Sequence, residues 1–158
     1  MLLNEIIKLL GKPYFQTENC LIYRQDCLEA MLALPEYYIN LTVTSPPYNI
    51  GKDYEKTMPL EEYLSWCSLW IKEIYRITDN NGAFWLNLGY LSISNRAKAI
   101  PIPYLLSDKI PFYLIQEVVW NYGAGVAGKK FFSPRNEKFL WYVKNPDLYT
   151  FNLDEVRD

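Results

Sequence analysis

The chain has 158 residues, 50% of them apolar and 16% aromatic, with a formal net charge of −2 and no histidine. One domain of this size buries close to ~70% of its unfolded surface, and the three cysteines, an odd number with no C-x-x-C pair, argue against a disulfide framework. Histidine-based triads and the commonest zinc sites are excluded, so no metal site is expected. No segment is long and apolar enough to span a membrane, and no basic N-terminal region precedes an apolar stretch, so a cytoplasmic enzyme is expected.

Residues 3–10 read as a short helix, 20–24 as a strand, and 26–34 as a helix that starts at Asp26 and stops before Pro35. An apolar, β-branched strand at 40–44 follows, then a polar loop. Beyond the loop Leu60, Tyr63, Leu64, Cys67, Trp70, Ile71, Ile74 and Ile77 recur at helical spacing, with Pro59, Glu61 and Glu62 suited to a first turn. That helix is predicted to end at the Asp79-Asn80-Asn81-Gly82 turn, before a strand at 83–88. A helix around 99–109, limited by Pro101 and Pro103, and long aromatic strands at 112–121 and 137–144 complete the series. The alternation predicts an α/β fold in a single unit spanning 1–158, without repeats or low-complexity linkers.

The loop after the 40–44 strand carries Ser45-Pro46-Pro47-Tyr48. Strand ends of this kind are where open α/β sheets present chemistry. Two prolines hold the backbone extended and leave carbonyls that no local amide claims. Ser45 adds an acceptor and Tyr48 a flat face, a combination suited to gripping a planar ring with an exocyclic amine.

This tetrapeptide resembles the catalytic motif of the DNA amino-methyltransferases, which methylate cytosine N4 or adenine N6. Tyr23-Arg24-Gln25-Asp26-Cys27-Leu28 is similar to the family's Gly-Asp-x-Leu segment, with Gln25 in place of glycine, and 82–89, 118–121 and 137–144 resemble later core strands in the permuted order of motifs. The resemblance implies a Rossmann-like, S-adenosylmethionine-dependent methyltransferase fold, with Ser45, Pro46, Pro47 and Tyr48 as catalytic residues and Asp26 and Asn49 beside the cofactor. It implies double-stranded DNA as partner, base flipping onto Tyr48 with only the ring required for stacking, and a place in a restriction-modification system. The exocyclic amine would donate to Ser45 and the Pro46 carbonyl, with no covalent enzyme intermediate. Serine at the first motif position resembles the cytosine-N4 enzymes; adenine N6, or a non-catalytic DNA-binding remnant, is the alternative. No cysteine follows a proline, which argues against carbon-5 cytosine methylation.

Lys129, Lys130, Arg135 and Lys138 gather near Phe131 and Phe132 in this otherwise slightly acidic chain. Lys129, Lys130 and Arg135 are candidate phosphate contacts; a solvated hairpin is the alternative. Gly123-Ala124-Gly125-Val126-Ala127-Gly128 matches G-x-G-x-x-G, yet the bulky, proline-broken segment after it does not suit the helix that a dinucleotide loop requires. The family's Phe-x-Gly-x-Gly cofactor loop has no counterpart in these residues. The expectation is therefore an incomplete sheet, with the 20–24 strand at one edge across a gap, and a companion chain or missing C-terminal half that carries the cofactor loop.

Overall fold

The computed structural model describes residues 2–123 and 128–157, so the centre of the G-x-G-x-x-G reading lies outside the described residues. Helix α1 (Leu2–Leu10), strands β1 (Phe15–Gln16) and β2 (Leu21–Ile22), and helix α2 (Cys27–Ala33) lead into strand β3 (Ile39–Thr44). Helix α3 (Leu60–Ile77) runs straight into strand β4 (Thr78–Leu88). Strands β5 (Tyr90–Ile93) and β6 (Ala97–Pro101), helix α4 (Ile102–Leu106), and strands β7 (Tyr113–Asn121) and β8 (Asn136–Val143) follow.

Four strands form one mixed sheet in the order β3-β4-β8-β7. β3 and β4 are parallel and joined by α3, while β8 is antiparallel to both of its neighbours. α3 covers one face because its apolar residues fall on one stripe: Tyr63, Leu64, Cys67, Trp70, Ile71, Ile74 and Ile77 are all buried. Alternation along the strands aims Phe84, Leu86 and Leu88 of β4, with Leu140 and Tyr142 of β8, into the same core. Burying each such Leu or Phe side chain contributes roughly 2 kcal/mol. On the opposite face Trp85 stacks on Trp141 with ring centroids 5.4 Å apart, and Tyr149 and Phe151 close over Trp141. The outer strand β3 leaves Leu41 and Val43 exposed on that face.

The result is the expected α/β fold with a partial, Rossmann-like sheet, and three local expectations change. The 20–24 strand contracts to β2, which pairs with β1 as a separate two-stranded sheet and does not join the edge of the main one. The Asp79–Gly82 turn is absorbed into β4 as an irregularity: Ile39 pairs with Thr78 and Leu41 with Ala83, so residues 79–82 arch out of the ladder. Gly82 permits this arch, since a Cβ there would lie 3.0 Å from the carbonyl oxygens of both Asn40 and Asp79. The helix expected over 99–109 is restricted to Ile102–Leu106 and a 3-10 turn, because residues 97–101 pair with 90–93. Among the described residues, no helix is long and apolar enough to cross a membrane.

The pairing fixes which chain segments share one end of the sheet. β3 and β4 both point their C-termini there, and Leu88 opposite Lys138 and Asn121 opposite Asn136 bring the start of β8 and the end of β7 to the same place. The loop at 45–59, the β5–β6 hairpin and the basic segment before β8 therefore rise from one edge of the molecule.

Candidate active site

Ser45, Pro46, Pro47 and Tyr48 leave the C-terminal end of β3 and line an open pocket of about 560 Å³ together with Tyr54, Asn87, Trp120 and Glu137. Asn87 organises it. Its side-chain oxygen accepts hydrogen bonds from Ser45 Oγ at 3.1 Å and Tyr48 Oη at 2.8 Å, and the two hydroxyl oxygens lie 3.0 Å apart. With both protons directed at Asn87, the Ser45 oxygen retains lone pairs for a donor in the pocket. Tyr48 Oη also lies 3.2 Å from Glu137 Oε2. Burial, with the nearby Glu137 charge adding to it and the Ser45 hydrogen bond opposing it, pushes the Tyr48 hydroxyl up to about 12, so it stays protonated at neutral pH.

The loop is held from beneath. Buried Tyr63 donates to the Pro47 carbonyl at 3.0 Å, whereas the Pro46 carbonyl takes no hydrogen bond from the described residues. Gly89, just past β4, lies flat against the Tyr48 ring; a Cβ there would sit 2.9 Å from Cε2. Farther along, Glu55 accepts from the backbone amides of Asn49, Ile50 and Lys52 at 2.9, 2.8 and 3.1 Å. Desolvation is the largest single effect on the Glu55 carboxyl and raises it, but these backbone donors together outweigh it and hold it below its ordinary value.

The structure unites some of the sequence candidates and separates others. The four residues of the tetrapeptide share one pocket. Asn49 has both ends of its side-chain amide engaged by the Met58 backbone, at 2.9 and 2.8 Å, so it staples the loop and keeps one Nδ2 hydrogen for another acceptor. Asp26 caps α2: its Oδ1 accepts from the amides of Leu28 and Glu29 at 2.8 and 3.3 Å, with Oδ2 left unengaged among the described residues. Lys129, Lys130 and Arg135 line a pocket with Phe131 and the fully exposed Phe132, and form no ion pair among the described residues. Lys138 departs from that group, paired with Glu117 at 3.4 Å and largely covered.

Residues 39–158, from β3 onward, match the family model described as DNA methylase, of the N6/N4 type. The chain belongs to the DNA methylase family. One relative, the Type II methyltransferase M.ScaI of Streptomyces caespitosus, is 60% identical over 156 residues, covering 99% of this chain and 51% of its own length. Among solved structures, the PvuII DNA methyltransferase (cytosine-N4-specific) superposes with a TM-score of 0.76 at 20% identity, over 92% of this chain and 56% of that one. A complex of M1.HpyAVI with SAM superposes with a TM-score of 0.53 at 18% identity, over 86% and 59% of the two chains. This DNA methylase chain thus spans about half the length of the relatives it matches.

Sequence reasoning singled out the tetrapeptide of this DNA methylase chain but missed Asn87, Glu137 and the aromatic rim of Tyr54 and Trp120. A signal for Asn87 was present: it is the single polar residue in the otherwise apolar run Phe84-Trp85-Leu86-Asn87-Leu88. Glu137 was marked too, as the first acidic residue after a stretch, 118–136, that contains none.

Proposed function

We propose that this chain is the catalytic part of an S-adenosylmethionine-dependent DNA methyltransferase of a restriction-modification system, acting on cytosine N4 of a flipped base. The observation that carries the reading is the convergence of Ser45 and Tyr48 on the Asn87 side-chain oxygen at an aromatic-rimmed pocket. A ring extruded from a duplex needs a face to stack on and acceptors for its amine. Tyr48, Tyr54 and Trp120 provide faces; Ser45 Oγ and the unclaimed Pro46 carbonyl provide acceptors.

Ser45 and Pro46 accept the amine hydrogens and thereby favour the pyramidal nitrogen, whose lone pair is otherwise drawn into the ring. Tyr48 fixes the plane of the base, and its pinned hydroxyl keeps Ser45 in place. Glu137, on the pocket wall, favours the positive charge that develops on the amine. When bound, S-adenosylmethionine supplies an electrophilic methyl group. The residues present fit part of that molecule: Asp26 keeps one carboxylate oxygen for a donor of the cofactor, and Asn49, held by Met58, keeps one Nδ2 hydrogen for an acceptor of it. We assign the glycine-rich cofactor turn to a portion beyond these 158 residues, either continuous with them or a companion chain, a reading supported by the half-length match to the relatives. Lys129, Lys130 and Arg135 would hold DNA phosphates beside the pocket.

Serine at position 45 and the cytosine-N4-specific structural neighbour support cytosine as the target. The test combines this chain with the portion carrying the cofactor turn, incubates it with S-adenosylmethionine and duplex DNA, and digests the product for mass spectrometry of nucleosides. N4-methylcytosine is the expected product; N6-methyladenine would reassign the base, and an unmodified duplex would sink the reading.

A further inference from the structure

The β5–β6 hairpin, which sequence reasoning did not foresee, occupies a position that its composition makes significant. It leaves the sheet immediately after Gly89, which packs on Tyr48, and rises from the same edge as the catalytic loop and the basic segment. Its tip is a built turn. Ile93 pairs with Ala97, Arg96 N donates to Ile93 O at 3.1 Å, and Asn95 takes the left-handed conformation (φ +59°) at the third position of that turn, where type II geometry calls for it. Arg96 and Lys98 are exposed there and make no ion pair or side-chain hydrogen bond among the described residues. With Ser92, Ser94 and Asn95 they line an open groove of about 420 Å³.

The charge context gives this tip a direction. No acidic residue occurs between Asp79 and Asp108, although the chain as a whole is negative. Residues 118–136, which contain Lys129, Lys130 and Arg135, are likewise free of acids. The roots of the two segments are tied together: Tyr90 at the start of β5 donates to Asn136 Oδ1 at 2.8 Å, one residue before the pocket-lining Glu137. Two acid-free cationic arms thus spring from one joint beside the pocket, flanking the Glu137 of its wall and the 45–59 loop that carries Asp53 and Glu55.

We propose that the β5–β6 hairpin is a second DNA-backbone contact, in which Arg96 and Lys98 hold phosphates of the duplex flanking the flipped nucleotide. The inference rests on the DNA methyltransferase reading above and adds to it a surface separate from the 128–135 segment. Phosphate contacts fix register and orientation without reading sequence, the task that a stiff, cationic hairpin next to a base-flipping pocket would serve. The polar groove at the tip supplies hydroxyl and amide donors from Ser94 and Asn95 for the same oxygens, while the Ser92 hydroxyl donates to the Ala97 carbonyl at 3.4 Å.

The experiment measures duplex binding by the completed enzyme as a function of salt, for the unaltered protein and for Arg96→Gln with Lys98→Gln. Each lost phosphate contact reduces the slope of log affinity against log salt by about 0.9, so the double variant is expected to be shallower by about 1.8. Its thermal midpoint should be unchanged, and its affinity should fall equally for specific and unrelated duplexes. The single variant Arg96→Gln, at a loop position, should show about half the change in slope. An unaltered slope, with the parent protein binding normally, overturns the hairpin contact but leaves the methyltransferase reading intact. Failure of the parent protein to bind duplex in any salt-dependent way overturns both.

Discussion

Replacing Tyr48 by phenylalanine separates the two jobs assigned to this residue. Were the ring sufficient, as the tetrapeptide alone implies, Tyr48→Phe would be nearly silent. In the structure the hydroxyl donates to Asn87 Oδ1 at 2.8 Å, lies 3.0 Å from Ser45 Oγ and 3.2 Å from Glu137 Oε2. Its removal leaves Asn87 one partner short and frees Ser45 to turn. A net loss of about 1 kcal/mol of stability is expected from one such hydrogen bond, which in a domain of this size lowers the thermal midpoint by about 2–4 °C. A comparable loss in the transition state slows methyl transfer by about 5-fold. Tyr48→Ala removes the stacking face as well, worth about 1–3 kcal/mol per base, and should be slower than Tyr48→Phe by a further factor of about 5 to 150. The assay is single-turnover transfer of a labelled methyl group to duplex DNA by the reconstituted enzyme, alongside calorimetric melting. A Tyr48→Phe enzyme with full rate and unchanged melting would refute the anchoring role; one as slow as Tyr48→Ala would refute stacking as the ring's principal contribution.

Other expectations follow from contacts around the loop. Gly89→Ala places a methyl group 2.9 Å from the Tyr48 ring, which is pinned by its hydroxyl, so overpacking by about 1–3 kcal/mol should tilt the ring and slow transfer in the same single-turnover assay. Gly82→Ala, which crowds carbonyls at the far end of β4, should lower the melting temperature and leave the transfer rate of the folded enzyme unchanged. Because the folded Glu55 carboxyl titrates below its ordinary value of 4.5, its hold on the Asn49, Ile50 and Lys52 amides is present at neutral pH and lost as pH falls through that lowered value. Hydrogen exchange at these amides should therefore accelerate in Glu55→Gln at neutral pH, and acidification should loosen the loop of the parent protein but not of the variant. Protection that is identical in both proteins across this range would exclude Glu55 as the clasp.

Much of this chain was legible before folding. The helical spacing from Leu60 to Ile77, the aromatic strands and the apolar run that ends in Ser45-Pro46-Pro47-Tyr48 are local patterns, and each became the element it predicts. The tetrapeptide was recognisable because prolines restrict their own backbone and need no distant partner to do so. What remained hidden depends on pairing. The strand read at 20–24 had no means of declaring that its partner would be Phe15–Gln16 and not the main sheet. The β5–β6 hairpin was masked because Ala97–Pro101 reads as the approach to a helix until cross-strand bonds to residues 90–93 claim its backbone. Asn87 and Glu137 stand 42 and 89 residues from their partners Ser45 and Tyr48, and they meet only because β4 lies beside β3 and β8 beside β4. Sequence by itself determined the Leu60–Ile77 helix, the strands of the main sheet and where the Ser45–Tyr48 loop leaves that sheet, since these rest on short-range periodicity and backbone restriction. Tertiary structure decided which polar groups complete the pocket, because hydrogen bonds across strands depend on the order and register in which those strands assemble.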